Sequence, residues 1–137
     1  MIIALDVMGG DYAPLEIIKG AQAALASQPE LELILVGDEA VIRLHWALVD
    51  QEPRVRIRHC TEVIHMNEHP AMAYRKKKDA SITVATKCVK SGEAAAVVSA
   101  GSTGAQMVAA LFVLGRLQGV LRPAIGSFIP TLQGPRF

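Results

Sequence analysis

Aromatic residues are scarce in this chain, at 4% of 137 residues. The hydrophobic core must therefore be built mainly from aliphatic side chains, and the aromatic platforms that stack single-stranded nucleic acid are disfavoured. Cysteine is scarcer still, because Cys60 and Cys88 are the two in the chain and form neither a Cys-x-x-Cys pair nor a cluster with histidine. This spacing argues against a disulfide framework and against a zinc site.

A basic leader is also missing at the amino terminus, where an acidic residue stands at position 6. A secretory signal peptide needs a basic start followed by a long apolar segment. We therefore expect a cytoplasmic protein, whose cysteines stay reduced.

Charge is nearly balanced overall, at a formal +1, but it is unevenly distributed. Residues 1–52 are predominantly acidic, whereas residues 53–78 are predominantly basic. Hydrophobic residues make up 51% of the chain and charged residues 20%, which is typical of a folded globular domain. A local basic stretch in a near-neutral chain favours one anionic ligand or partner surface over general DNA binding.

Residues 94–115 carry no charge and are numerous enough to span a bilayer. Serine, threonine and glycine stand near the middle of this stretch, within 99–104. A polar, glycine-containing turn at the bilayer centre would leave backbone groups without hydrogen-bond partners. We therefore interpret the stretch as a buried strand, a loop and a buried helix.

Short apolar runs alternate with helical patterns along the chain. The runs predict strands at 2–7, 31–36, 55–58, 95–99 and 124–129. Helical spacing predicts helices at 14–27, 68–78, 81–90 and 105–114, and a further helix capped by Asp38 with the face Val41, Leu44 and Leu48. This alternation is typical of an α/β fold, a mostly parallel sheet with helices on both faces. The sheet looks truncated, so we expect residues 1–137 to be a single α/β domain, the N-terminal portion of a longer protein.

Two predicted strands end in unusual loops, and ligands of open α/β sheets bind beyond the carboxyl ends of the strands. The first loop is Asp6-Val-Met-Gly-Gly-Asp11. Its adjacent glycines, Gly9 and Gly10, allow close backbone approach or a positive φ. Asp6 and Asp11 are suited to orienting a substrate or taking a proton. The alternative is a tight turn in which Asp11 caps the following helix.

The second loop, Ser99-Ala-Gly-Ser-Thr-Gly-Ala105, lies between a predicted strand and a predicted helix. Backbone N–H groups at a helix N-terminus favour an anion, and the hydroxyls of Ser102 and Thr103 add donors. The loop is neither a P-loop nor a dinucleotide-binding fingerprint. It is therefore either an anion cradle or a glycine-rich turn whose serine or threonine caps the helix.

The run Arg75-Lys-Lys-Lys78 places four cations side by side in the sequence. One interpretation is a solvated helix face, since adjacent cations repel one another. The other is a docking patch for an acidic partner or a phosphate group. The four histidines show no metal-ligand spacing, and His59 and Cys60, as neighbours along a strand, should point to opposite faces.

Eight stretches resemble, in order and spacing, the PlsX-type phosphate acyltransferases, the bacterial enzymes that start phospholipid synthesis. These stretches are Leu5–Asp11, Leu35–Asp38, Glu62–Met66, Pro70, Arg75–Ser81, Val98–Ala105, Leu114–Arg116 and Arg122–Ala124. Three positions depart from the family pattern: Ser102 stands where Asn is usual, Ala80 where Ser is usual and Cys60 where Ala is usual. Serine at 102 keeps a hydrogen-bond donor but is shorter than asparagine.

The resemblance implies a fold similar to the isocitrate and isopropylmalate dehydrogenase group, and a homodimer in the full-length enzyme. It implies transfer of a fatty acyl group from acyl carrier protein to inorganic phosphate, giving acyl phosphate for phospholipid synthesis. We expect no cofactor, no metal and no nucleic acid partner, and any membrane contact would be peripheral. The alternatives are a phosphotransacetylase-like enzyme that uses acyl-CoA and a non-catalytic module that binds a nucleotide or another anion.

Phosphate is itself the nucleophile in the implied reaction, so no serine or cysteine nucleophile is required. The protein must hold a dianion near a thioester carbonyl and stabilise the oxyanion that forms. We expect catalytic roles for Asp6, Asp11, Ser102 and Thr103. We expect phosphate or oxyanion binding by Gly9, Gly10, Gly101, Ser102, Thr103 and Gly104. We expect contacts with the carrier protein or its phosphopantetheine from Arg75, Lys76, Lys77 and Lys78.

Overall fold

The computed structural model describes residues 1–127 and residue 131. Within these residues, strands and helices alternate as the sequence predicts. The strands are β1 (Ile2–Asp6), β2 (Glu32–Gly37), β3 (Val55–His59) and β4 (Ala96–Ser99). The helices are α1 (Leu15–Ser27), α2 (Glu39–His45), α3 (Pro70–Lys76), α4 (Ser81–Lys90) and α5 (Thr103–Val113), with a short 3-10 turn at Val49–Gln51.

The strands form a parallel sheet in the order β3-β2-β1-β4. Leu5 of β1 lies beside Leu35 of β2 on one side and Val98 of β4 on the other. The chain therefore builds outward from β1 in one direction and then returns to its other side. This reversal makes the gap between β1 and β4 the switch point of the sheet, the place where open α/β sheets bind ligands.

Helices cover both faces of the sheet because alternate strand residues point to opposite sides. On one face, Ile18 and Leu25 of α1 and Ile42 of α2 pack with Leu33 and Leu35 in a buried cluster. On the other face, a second cluster joins α4 to the sheet through the buried side chains Ala4, Ile34, Val36, Ala85 and Cys88. The predicted α/β class with a parallel sheet is confirmed, while the likeness to the dehydrogenase group stays a prediction.

Two predicted elements differ in the structure. The second helix ends at His45 and buries Ile42, so the predicted face was wrong: Leu44 is 78% exposed and Leu48 is 61% exposed. The chain leaves the helix at Trp46 and buries Val49 in the 3-10 turn instead. Residues 124–127 of the predicted last strand form no strand. Gly126 disfavours a strand there, because glycine has no side chain to pack. Residues 128 and 129 of that prediction lie outside the described residues.

The uncharged stretch 94–115 divides as expected into β4, a turn and α5. Ser99, Gly101 and Ser102 belong to the turn and its borders, where their polar groups find partners. Among residues 1–127 and 131, no helix is long and apolar enough to cross a membrane.

Candidate functional site at the switch point of the sheet

The loop after β1 is held by the carboxylate of Asp6, which is 2% exposed. Asp6 Oδ1 accepts a hydrogen bond from the backbone N–H of Met8 at 3.2 Å. Gly10 has a φ of 128°, a conformation that favours glycine. At Gly9 a Cβ would overlap Asp6 Oδ2 and lie 2.8 Å from Ser99 Oγ. Both glycines are therefore required by the geometry of the loop, as the sequence predicts.

Asp11 does not cap the following helix. Pro14 stands at the N-cap of α1, and no side chain caps that helix. The turn at 11–14 separates the carboxylate from the helix start at Leu15, so the capping interpretation was wrong. Asp11 is exposed and lies at the edge of a cavity, where it is available to a ligand.

The loop after β4 leads directly into the N-terminus of α5. Ser102 Oγ accepts a hydrogen bond from the backbone N–H of Ala105 at 3.3 Å, so of the two interpretations of this loop the helix cap is confirmed, while the anion site stays a prediction. The hydroxyl proton of Ser102 remains available to an acceptor, since this bond uses the oxygen alone. Among the described residues, the backbone N–H groups of Thr103 and Gly104 have no acceptor. They are the unsatisfied donors of a helix start, which suits an anion.

The two loops touch each other across the switch point. Ser99 Oγ donates a hydrogen bond to Asp6 Oδ2 at 2.8 Å and accepts one from the backbone N–H of Gly101 at 3.0 Å. A Cβ on Gly101 would lie 3.0 Å from Gly9 Cα. Glycines on both sides therefore let the two backbones pack directly against each other.

A third segment completes the site. Residues 63–67, which follow β3, face the two glycine loops across a cavity of about 290 Å³. From the two loops, the lining includes Met8, Gly10, Asp11 and Gly101; the facing segment contributes Val63, Ile64, His65, Met66 and Asn67. The lining residues with polar side chains are Asp11, His65 and Asn67, and the volume is at the small end of ligand-binding pockets.

Lys77 holds this third segment from behind. Its Nζ donates to the backbone carbonyl oxygen of Val63 at 2.6 Å and to Glu68 Oε1 at 2.6 Å. The same Glu68 oxygen accepts the backbone N–H of His65 at 2.7 Å. The Lys77 ammonium, and after it the His65 N–H, lowers the pKa of Glu68 below its ordinary value of 4.5.

The predicted basic cluster does not form one surface. Arg75 and Lys76 are exposed at the end of α3, and Lys78 lies beyond it with its Nζ 4.9 Å from the centre of the Tyr74 ring. Lys77 instead faces the protein. The cluster therefore combines a loop anchor with three solvent-facing cations.

Neither cysteine is an activated thiol. Cys60 is buried, and burial, followed by the charges of Asp79 and Asp6, raises its pKa to about 12. Burial also raises the pKa of Cys88. His59 is exposed and accepts the backbone N–H of Glu39 on its Nδ1 at 3.1 Å, so it points away from Cys60 as expected. Among the described residues, no three or more His, Cys, Asp or Glu side chains are grouped to hold a metal ion.

The site residues predicted in the two loops thus fall into three positions. Gly10, Asp11 and Gly101 line the cavity. Asp6 and Gly9 do not line it and lie where the two loops touch, and Ser102, Thr103 and Gly104 are at the start of α5. Sequence reasoning about loop chemistry missed Ser99 and the segment 63–67. The order of stretches in the sequence did contain a signal for that segment, because Glu62–Met66 is one of those that carry the family resemblance.

Comparisons with known proteins find one matching family and relatives that share one name. The chain matches the family described as "Fatty acid synthesis protein" over residues 1–137. It is 55% identical over 134 residues to a phosphate acyltransferase of Desulfitobacterium hafniense (strain DSM 10664 / DCB-2), covering 98% of this chain and 40% of that protein. It is 54% identical over 136 residues to a phosphate acyltransferase of Moorella thermoacetica, covering 99% and 40%. The chain thus spans about two fifths of the length of these curated relatives.

Proposed function

We propose that this chain, which belongs to the fatty acid synthesis protein family, is the phosphate-binding part of an acyltransferase. The proposed enzyme moves a fatty acyl group from acyl carrier protein to inorganic phosphate. The resemblance to the PlsX-type phosphate acyltransferases is confirmed by relatives of that name at 55% identity. The carrier-protein donor, the supply of acyl phosphate to phospholipid synthesis and the pairing of two copies are part of the proposal.

The observation that carries the proposal is the meeting of two glycine loops at the switch point, beside a helix N-terminus. The N–H groups of Thr103 and Gly104 are unsatisfied among the described residues, and the hydroxyls of Ser102 and Thr103 lie beside them. A phosphate dianion supplies acceptors for all of these donors, and the dipole of α5 favours its charge. The neighbouring cavity leaves room for the thioester that phosphate must meet.

The proposed reaction needs no nucleophile from the protein, because phosphate attacks the thioester itself. The protein must position phosphate beside the thioester. A phosphate oxygen attacks the thioester carbonyl carbon, a C–O bond forms and the C–S bond breaks. The carbonyl becomes an oxyanion in the tetrahedral intermediate. As the intermediate collapses, the phosphopantetheine sulfur leaves as a thiol and carries the proton that the attacking hydrogen phosphate loses. Preorganised N–H donors stabilise such an oxyanion, and holding phosphate beside the carbonyl removes the entropy cost of the encounter. The raised pKa values of Cys60 and Cys88 accord with a mechanism that uses no thiolate.

The test is acyl phosphate formation, followed by trapping with hydroxylamine. It uses this chain of 137 residues and a version extended to full length with the remaining segment of the Desulfitobacterium hafniense relative. We expect the extended version to consume acyl carrier protein thioester and phosphate. Preference for acyl-CoA would favour a phosphotransacetylase-like enzyme. Thermal stabilisation by a nucleotide with no turnover on either donor would favour a binding module.

A matched pair of variants tests the place of the phosphate. Thr103→Val removes an exposed hydroxyl at the helix start, and we expect the KM for phosphate to rise with little change in thermal stability. Thr86→Val removes a hydroxyl inside α4, where Thr86 Oγ1 donates to the Ile82 carbonyl oxygen at 2.7 Å. This control should leave the KM for phosphate unchanged. If both variants change KM equally, the phosphate does not bind at the start of α5.

A further inference from the structure

Ser99 occupies the junction between the two glycine loops. It is the last residue of β4, and Asp6 is the last residue of β1, its neighbour in the sheet. The Ser99 hydroxyl donates to Asp6 Oδ2 at 2.8 Å and accepts from the Gly101 N–H at 3.0 Å. Asp6 in turn accepts the Met8 N–H on its other oxygen. One hydroxyl and one carboxylate therefore hold the backbone of both loops.

Few side chains satisfy this geometry. The group at position 99 must donate and accept at once, which a hydroxyl does and a methyl group does not. The hydroxyl in turn requires glycine in both loops, because a Cβ would lie 3.2 Å from Ser99 Oγ on Gly101 and 2.8 Å from it on Gly9. The bond to Asp6 is charge-assisted, and such bonds are stronger than bonds between neutral groups. The carboxylate thus has a partner in a position where water is largely excluded, since Asp6 is 2% exposed.

The bond to Gly101 also determines which groups remain for a ligand. The Gly101 N–H points to Ser99 Oγ, so it is not a free donor to phosphate. The N–H groups of Thr103 and Gly104 follow within the next turn of chain. Their direction depends on how the segment Ser99–Ser102 leaves β4. A shift of this segment would move the donors of α5 relative to the Gly10–Asp11 side of the cavity.

We propose that Ser99 is a positioning residue: through Asp6 it holds the Gly101 loop against the Gly9–Gly10 loop and thereby aims the N-terminus of α5 at the bound phosphate. This inference rests on the proposed function, because it needs phosphate at that helix start. Ser99 itself touches neither phosphate nor thioester. Its contribution is the fixed geometry of groups that do.

The test compares Ser99→Ala with Ser99→Thr, which keeps the hydroxyl, and with Ser91→Ala. Ser91 is the control because its hydroxyl also has two hydrogen-bond partners, a backbone group and a carboxylate. The Cys88 carbonyl oxygen and Glu93 Oε1 share its single proton, away from the loops. Two readouts come from amide NMR spectra of the chain: the hydrogen-exchange rate of the Gly101 N–H and the Kd of inorganic phosphate. A third readout is kcat and KM for phosphate in the extended version.

We expect Ser99→Ala to accelerate exchange at Gly101, since its acceptor is gone. We expect it to weaken phosphate binding and lower kcat/KM by about tenfold or more, the effect of misplaced donors. Ser99→Thr should restore both, and Ser91→Ala should change neither. Asp6→Asn should act in the direction of Ser99→Ala, since a charge-assisted bond becomes a neutral one. It serves as the second variant if Ser99→Ala does not fold.

Each result separates this inference from the proposed function. If Ser99→Ala has the same hydrogen-exchange rate at the Gly101 N–H and the same Kd for phosphate as the unchanged protein, Ser99 is not a positioning residue. The same conclusion follows if Ser99→Thr and Ser99→Ala lose phosphate affinity equally. If the unchanged chain and the extended version neither bind nor use phosphate, the proposed function fails, and the role of Ser99 in phosphate positioning fails with it. Faster Gly101 exchange in Ser99→Ala would then show a loop contact without that function.

Discussion

Gly104 of α5 lies so close to Pro70 of α3 that a Cβ on the glycine would stand 2.7 Å from the proline Cγ. Pro70 is the first residue of its helix, where it lacks an N–H that the helix would not use. The starts of the two helices therefore pack against each other through a glycine and a proline. Gly104 sets this spacing as well as offering its N–H at the helix start.

Replacement of Gly104 by alanine should destabilise the protein by about 1–2 kcal/mol, because overpacking against a rigid proline ring outweighs the gain in helix propensity. Gly20→Ala is the control. Gly20 lies inside α1, and no heavy atom lies within 4 Å of the point that an alanine Cβ would occupy, so alanine there should stabilise by about 0.5–1 kcal/mol. Urea unfolding of both variants measures the difference. A stabilised Gly104→Ala variant would show that the two helix starts are loosely packed.

The contact between Lys77 and Glu68 gives a pH prediction. The Lys77 ammonium is the largest cause that lowers the pKa of Glu68 below 4.5. A carboxyl whose pKa is lower in the folded state stabilises the fold above its unfolded pKa, and this stabilisation is lost as pH falls through the folded pKa. Lys77→Met should therefore be less stable than the unchanged protein at neutral pH, and the difference should shrink as pH falls below 4.5.

Lys76→Met supplies the control for this comparison. Lys76 is exposed and next to Lys77 in the chain, so the charge change is the same. Thermal unfolding followed across acid and neutral pH should show little difference between Lys76→Met and the unchanged protein. Equal pH profiles for Lys76→Met and Lys77→Met would mean that the ion pair with Glu68 does not form in solution.

Much of the fold follows from local patterns. The spacing of Leu15, Ile18, Ala21 and Leu25 predicts α1. The last three are buried, whereas Leu15, at the start of the helix, is 41% exposed. The bounds of α4 coincide with the prediction of 81–90. The face of α2 was harder to predict, because this helix has seven residues and its apolar side chains occur all around it. A short helix gives too few repeats for its spacing to select one face.

The candidate site was predictable where it depends on local patterns, and only there. Glycine pairs and a serine before a helix are local signals, and they located both loops. The contact between Asp6 and Ser99 joins residues 93 positions apart and depends on the pairing of β1 with β4, which local patterns do not specify. Likewise, the four adjacent cations gave no sign that Lys77 alone turns inward, because its partners Val63 and Glu68 lie in another segment.

The three remaining cations give a prediction that tests the proposed carrier-protein donor. Neutralising Lys76 and Lys78 together should raise the KM for acyl carrier protein and weaken its dependence on salt, since exposed charges attract an acidic partner over a range that salt shortens. Lys90→Gln, an exposed lysine at the end of α4, is the control. Kinetics of the extended version at low and high salt supply the measurement. A flat KM across salt in the unchanged protein would exclude docking through this surface.

The cap of α5 gives a prediction for both stability and phosphate binding. Ser102→Ala removes the oxygen that accepts the Ala105 N–H, so it should cost about 1 kcal/mol of stability. Ser102→Asn keeps a capping oxygen, since asparagine is as good a cap as serine, and stability should be retained. It also introduces the amide that the family resemblance leads one to expect at this position. Urea unfolding and the KM for phosphate should therefore place the variants in the same order. Ser102→Ala loses both stability and phosphate affinity, while Ser102→Asn keeps its stability and binds phosphate at least as well as the unchanged protein does. If Ser102→Asn is as unstable as Ser102→Ala, the side chain at 102 does not cap the helix in solution.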